Sequence, residues 1–207
     1  MDGRAAAAAQ APASAMPGGP AENDAMDWPV RFPAEMTAGT ISVRPYASAD
    51  AAELFSSLRD ERAWEHIPRA IPADAASLDE SIRLRLADGS RMTFTIRQGG
   101  QVVGMTSVLL DPRDPAGAEV GGTQLDPGVW GTGVNAAVKR LLFGVIFRHG
   151  ADWIQLRTDE RNGRSAAAIR KLGATDLGVH QDHRVRRDGT RRRSRIFRLN
   201  RTQWDGP

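Results

Sequence analysis

The chain has 207 residues, 41% of them hydrophobic and 26% charged, with a formal net charge of +3 and no cysteine. This is the make-up of an ordinary soluble globular protein with one good-sized core, and it excludes disulfides, thiolate metal sites and a cysteine acyl-enzyme. The longest apolar run is broken by Lys139 and Arg140 and is far too short to cross a bilayer, so no membrane partner is expected.

The opening stretch, "MDGRAAAAAQAPASAMPGGPAENDA", is apolar only through alanine, is interrupted by Gln10 and Pro12, and carries Asp2 as its first charge. A secretory segment needs a basic start and a strongly apolar middle, so residues 1–30 read as a flexible Ala/Pro-rich arm of a cytoplasmic protein. Residues 31–207 read as a single domain.

"TISVRPY" (40–46) alternates as a strand. "SADAAELFSSLRD" places Ala51, Leu54, Phe55 and Leu58 at helical spacing, and "SLDESIRLRL" begins with a Ser77-x-x-Glu80 capping box and stacks Leu78, Ile82 and Leu86. "RMTFTIRQGGQVVGMTSVLL" is a hairpin turning at Gly99-Gly100, and "EVGGTQL" is a further strand. Next come Asp126-Pro127-Gly128, a Gly131-Thr132-Gly133 turn, and a helix with Val138, Leu141, Leu142, Val145 and Ile146 facing inward. "DWIQLRT" (152–158) is a strand. "NGRSAAAIRKLGA" is a helix capped by Asn162 and stopped by Gly173, and the closing hairpin turns at Asp188-Gly189. Residues 180–207 hold nine arginines against three aspartates, which is either a solvated face or a surface for anionic partners.

Paired glycines opening a helix bring bare amides up to a phosphate. "GTGVNA" satisfies the dinucleotide-binding pattern by letters, but five residues separate it from the preceding strand, antiparallel hairpins come first, and one β-α pair is too little for two mononucleotide halves. A P-loop would need a Gly-Lys-Ser/Thr, and Gly133 is followed by Val134.

The order of elements, together with Glu119-Val120-Gly121, Asp126-Pro127-Gly128-Val129-Trp130-Gly131-Thr132-Gly133, Asn162-Gly163-Arg164-Ser165, Asp188-Gly189 and Gln203-Trp204, resembles the GNAT acyl-CoA N-acyltransferases over about Arg44 to Trp204. The resemblance is to the branch containing ribosomal-protein N-terminal alanine and serine acetyltransferases. It implies an α/β fold: a central twisted, mostly antiparallel mixed sheet, splayed at the acyl-CoA site and flanked by about four helices. It implies acetyl-CoA as co-substrate without a metal, and an amine acceptor, either a ribosomal-protein N-terminus or a small molecule. No DNA partner is expected, and the state is a monomer or homodimer. The coenzyme's pyrophosphate would lie on Trp130, Gly131, Thr132, Gly133, Val134 and Asn135, where Trp130 replaces the usual Gln/Arg and Asn135 a small residue. Asn162 and Ser165 would position the pantetheine arm or cap their helix. The acyl carbonyl would meet main-chain amides near Gln124-Leu125 and Gln155-Leu156.

By the same resemblance Glu119 is the expected base, although it lies one residue farther from Trp130 than the family spacing. Such a shift reverses a side chain's face unless a β-bulge near Gly121-Gly122 absorbs it. The family's acidic tyrosine is replaced by Ile169, the only tyrosine is Tyr46, and Ser165 or water is left to protonate the thiolate. Trp64-Glu65-His66 falls where the superfamily forms its acceptor site. His180-x-x-His183 on a strand points to opposite faces and suggests no metal. Two other readings remain: a coenzyme A-binding GNAT fold without catalysis, and a ribosome- or RNA-associating module using the Arg-rich hairpin.

Overall fold

The computed structural model describes residues 25–111 and 114–206, without the side chains of Asp182 and His183. The elements in chain order are β1 (Met36–Ala38), β2 (Ile41–Pro45), α1 (Ala51–Ser57), α2 (Ala75–Leu86), β3 (Arg91–Gln98), β4 (Gln101–Leu110), β5 (Gly117–Leu125), α3 (Val134–Arg148), β6 (Trp153–Asp159), α4 (Gly163–Arg170), β7 (Thr175–Val185) and β8 (Arg191–Asn200). The eight strands make one sheet in the order β1-β2-β3-β4-β5-β6-β8-β7. Every neighbouring pair is antiparallel except β5 and β6, which α3 connects in parallel.

The alternating apolar positions of the strands feed two cores, one on each face of the sheet. On one face α3 lays Val134, Val138, Leu142 and Ile146 into a cluster with Val108, Ala118, Val120 and Ile154. On the other, α1 and α2 bury Leu54, Leu58, Leu78 and Ile82 with Trp64 and Met105. The helical spacings read from the sequence are therefore those that face inward.

Two boundaries differ from expectation. The short β1 precedes the first expected strand and turns into β2 at Gly39, whose φ is +59°. Helix α2 starts at Ala75, capped by Asp74: its carboxylate accepts from Ser77 N at 2.7 Å while Ser77 Oγ accepts from Asp74 N at 3.1 Å. The capping box is Asp74–Ser77 rather than Ser77–Glu80, because the aspartate completes the same reciprocal pair three residues earlier. Of the arm expected over residues 1–30, residues 1–24 lie outside the described residues. Met26 and Val30 are buried in the larger core, and Met26 N donates to Pro115 O at 3.0 Å.

Asp50 fastens α1 to the sheet. Its carboxylate is 1% exposed, accepts from Thr95 Oγ1 at 2.8 Å and Arg97 at 3.1 Å, and pairs with Arg44. Burial alone would raise its pKa, but the hydrogen bonds from Thr95, Arg97 and Arg44 outweigh that and hold it below the ordinary value. Replacing Asp50 by Asn is expected to cost about 3 kcal/mol at neutral pH in a denaturant melt, the scale for breaking a buried ion pair. Because the folded pKa is the lower one, the native carboxylate stabilises above the unfolded value near 4. The gap between wild type and variant should close as pH falls through the folded value.

Candidate active site

The register of β5 decides where the candidate base points. β4 and β5 pair from Leu110↔Ala118 to Ser107↔Gly121, shift, and resume at Met105↔Gln124. Thr106 therefore stands opposite two residues, Gly122 and Thr123, and Gly122 takes a φ of +60°. This is a glycine bulge at the place the one-residue excess demands. The extra residue resets the alternation, so Glu119 and Gln124, five apart, share the face covered by the α1–α2 segment. On that face Gln124 Nε2 donates to Ala63 O at 3.4 Å, and its Oε1 accepts from Arg69 at 3.2 Å.

Next to the bulge the sheet opens. The parallel pairing of β5 and β6 runs only from Gly117↔Trp153 to Glu119↔Gln155, although β5 continues to Leu125 and β6 to Asp159. The separated strands border a cleft of about 380 Å³, lined by Glu119, Leu156, Asn135, Lys139, Ser165 and Ile169 among others. Residues from both sheet faces line it, so the opening passes through the sheet.

Of the residues expected to hold the pyrophosphate only Asn135 lines this cleft, and the glycine turn precedes it outside the lining. Gly131 and Gly133 have φ of +79° and +91°, a region that favours glycine. Gly133 is the N-cap of the 15-residue α3 and provides no side-chain cap. The first intrahelical bond runs from Ala137 N to Gly133 O at 3.0 Å, leaving the amides of Val134 and Asn135 for an outside acceptor, while Thr132 N already donates to Val129 O at 3.4 Å. Asn135 Oδ1 is buried beside this turn and has no hydrogen-bond partner. A buried, unpaired acceptor is costly in a native protein and marks a place for a donor from a ligand. The turn, the helix dipole and this oxygen fit coenzyme A, whose pantetheine amides carry N–H donors.

The ionisable groups are held in fixed arrangements. Glu119 Oε2 accepts from Gln155 at 3.2 Å and pairs with Arg157 at 3.1 Å. Its Oε1 accepts nothing from the described residues and lies over Gly121, where an added Cβ would be 3.0 Å away. Lys139, 3% exposed, donates to Thr123 Oγ1 at 2.7 Å and Thr106 Oγ1 at 3.2 Å, the hydroxyls flanking the bulge. Burial pushes its pKa down to about 7 against the opposing pull of Glu119. Half-buried His66 also lines the cleft, and burial lowers its pKa.

The other expected site residues are placed as follows. Asn162 caps α4 by accepting from Ser165 N at 2.9 Å, and both residues line the cleft. Val134 is buried in the core, so only its amide is free to serve the turn, and exposed Thr132 gives its hydroxyl to Val129 O at 2.7 Å. Leu125 is buried, and its carbonyl accepts from Trp130 Nε1 at 3.2 Å. The Trp130 ring lies under the Arg164 guanidinium, 3.4 Å from the ring centre, so this side chain braces the start of α4. Gln124 commits its side chain to the α1–α2 segment and pairs with Met105 of β4, and it does not line the cleft. Tyr46 gives its hydroxyl to Asp79 at 2.8 Å and does not line the cleft. Ile169 does line it.

Trp64 is a core residue bonded to Leu58 O at 2.7 Å. His180 is exposed with a ring nitrogen 3.0 Å from Leu177 O, while the His183 side chain lies outside the described residues. Sequence reasoning missed Lys139, which looked only like a break in an apolar run, and the arginines Arg69, Arg85 and Arg91 of the cleft wall. Among the described residues no helix is long and apolar enough to span a membrane, and no group of three or more His, Cys, Asp or Glu is placed to hold a metal.

No curated protein matches the chain. Among solved structures, a T. thermophilus protein assigned as an acetyltransferase is 27% identical, covering 84% of this chain and 93% of its own, with a TM-score of 0.75. A Chromobacterium violaceum protein assigned to the GNAT acetyltransferases is 22% identical, covering 96% of this chain and 100% of its own, with a TM-score of 0.80. A Salmonella typhimurium acetyl transferase that modifies the N-terminal serine of ribosomal protein L7/L12 is 15% identical, with coverages of 79% and 96% and a TM-score of 0.68. The last two likenesses carry the fold alone. The Acetyltransferase (GNAT) domain family matches residues 40–175, most of the chain, and this match, on a sheet that splays beside a glycine turn, makes the chain a member of the GNAT acetyltransferases and an acyltransferase enzyme.

Proposed function

We propose that the protein moves an acetyl group from acetyl-CoA to a primary amine by direct attack in a ternary complex, in the cytoplasm. The observation that carries this reading is the coincidence of three features: strand pairing that ends at Glu119↔Gln155, a glycine turn that leaves the first amides of α3 unbonded, and the unpaired Oδ1 of Asn135, a residue of the cleft wall. Acetyl-CoA supplies the activated thioester, and coenzyme A leaves as the thiol. The turn amides of Gly131 to Asn135 hold its diphosphate, while Asn135 and Ser165 face its pantetheine arm. Main-chain amides of the separated strands near Gln124-Leu125 and Gln155-Leu156 orient the acyl oxygen, with the logic of an oxyanion hole.

An amine near neutrality is mostly protonated and must lose that proton before attack. Glu119 is suited to take it, directly or through water. Arg157 and Gln155 clamp one carboxylate oxygen, and the other is left open to the cleft. Ser165 or water returns a proton to the departing thiolate, which is a tolerable leaving group unaided.

The Arg-rich hairpin offers less to an RNA partner than its composition suggests. Arg186 pairs with Asp159 and Glu160, Arg193 with Glu160, and Arg195 with Asp176, so these charges already have carboxylate partners within the chain. Acceptors of the kind modified by the Salmonella relative, a ribosomal-protein N-terminus, and small amines both remain in scope.

Thermal melting tests the coenzyme half. Coenzyme A at a hundred times its dissociation constant should stabilise the protein by about 2.7 kcal/mol. Asn135→Ala should weaken binding by about 1 kcal/mol, the net worth of one hydrogen bond. An unchanged melting temperature with coenzyme A, alongside a rise with RNA, would favour the nucleic-acid reading. Release of free thiol in the presence of amines separates an enzyme from a non-catalytic binder.

A further inference from the structure

The wall of the cleft built by the α1–α2 loop, the end of α2 and the start of β3 carries Arg69, Arg85 and Arg91. All three are partly buried, and among the described residues none has a carboxylate within ion-pair distance. Arg69 donates to the neutral Gln124 Oε1 at 3.2 Å and Arg85 to Ser81 Oγ at 2.6 Å. Arg91 Nη1 lies beside Gly122, 3.5 Å from where a Cβ would be.

Burial pushes Arg69 down to about 10 and Arg85 to about 9, and the neighbouring arginines add to both shifts. Arg91 is lowered by burial first, opposed at longer range by Glu119 and Asp88. Three guanidinium groups taken partly out of water beside one another destabilise a fold unless something neutralises them. The carboxylates of the cleft do not: Glu119 is held by Arg157, and Asp159 by Arg186 at 2.8 Å. The coenzyme's phosphates have their own place at the α3 N-terminus, whereas these arginines come from the α1–α2 loop, α2 and β3.

We infer that Arg69, Arg85 and Arg91 form a subsite for a carboxylate or phosphate carried by the acceptor, close to the amine presented to Glu119. The spacing follows from β5. Glu119 Oε1 lies over Gly121 and Arg91 Nη1 over the next residue, so amine and anion are separated by about the length of one or two residues, at ~3.5 Å each. Guanidinium is the side chain suited to such anions, because its fork meets two oxygens at once. The inference rests on the acetyl-transfer reading and names its substrate class: an amine with an acidic group a few bonds away. Both a peptide N-terminus followed by an acidic residue and a small phosphorylated or carboxylated amine meet that description.

The test uses coenzyme A-loaded protein, so that the coenzyme's own anions are already in place and no turnover occurs. Calorimetry compares Ala-Glu-Ala amide with Ala-Gln-Ala and Ala-Lys-Ala amides, and phosphoethanolamine with ethanolamine. The acidic member of at least one set should bind roughly tenfold or more tightly than its neutral partner. Which set shows the preference identifies the source of the anion. Arg69→Gln and Arg85→Gln should each abolish most of that preference while leaving the melting temperature of the ligand-free protein equal or higher, since they relieve repulsion. A purely structural arginine would instead lower it.

Equal binding of neutral and acidic members, binding of none, or a preference that survives both substitutions overturns the subsite and leaves acetyl transfer standing. Failure of coenzyme A itself to bind overturns the acetyl-transfer reading. The same titrations on coenzyme-free protein then decide the anion subsite by the same criteria.

Discussion

Replacing Glu119 by Gln lowers kcat by roughly 10²- to 10⁴-fold, the usual worth of a positioned general base. The amide keeps the size of the carboxylate and an oxygen to accept from Arg157, but it cannot take a proton. Coenzyme affinity and melting temperature should stay near wild type, because neither the glycine turn nor the cores contact this side chain. Steady-state thiol release, with melting as the control, reads the effect. Unchanged kcat would move the base elsewhere in the cleft, and a collapse in melting temperature would make Glu119 a structural ion-pair partner.

Replacing Lys139 by Met is expected to stabilise the protein. The lysine is buried, its pKa is pushed down to about 7, and its two hydroxyl partners already share a 2.8 Å hydrogen bond that survives its removal. Methionine has a similar volume and no charge to desolvate, so the gain at neutral pH is roughly 3–5 kcal/mol. That is a rise of roughly 10 °C for a chain of this size. Between the folded value near 7 and the free value of 10.5 the unfolded lysine binds more protons than the native one, so wild-type stability recovers as pH rises through that window. The advantage of the variant should therefore be full below pH 7 and fade towards pH 10. A variant that melts lower than wild type at every pH would show that the cation gains more from its surroundings than burial costs it. Groups held at such cost cluster at functional sites, and Lys139 lines the cleft.

Much of this architecture was legible because its signals are local. Alternation marked the strands, helical spacing marked α1 to α4, and Asn162 at the start of α4 is the cap its residue type suggests. The bulge was legible by counting: one residue too many between Glu119 and Trp130 has to be absorbed somewhere, and Gly122 is the residue that takes the required φ. The start of α2 was read at the wrong pair because Ser77-x-x-Glu80 fits a capping pattern, whereas in the fold the reciprocal bonds run between Asp74 and Ser77. The arginines of the cleft wall lie 16 and 6 residues apart in sequence, on a loop, a helix end and a strand start, so nothing in the chain announces that they meet. The same holds for Thr106, Thr123 and Lys139, which packing of α3 over β4 and β5 brings together.

A crystal structure with coenzyme A is the most direct trial of the central claim. The account predicts the diphosphate on the amides from Gly131 to Asn135, an amide of the pantetheine arm donating to Asn135 Oδ1, and the sulfur in the gap beyond Glu119 and Gln155. Coenzyme bound on another surface, with the gap between β5 and β6 closed, would contradict it.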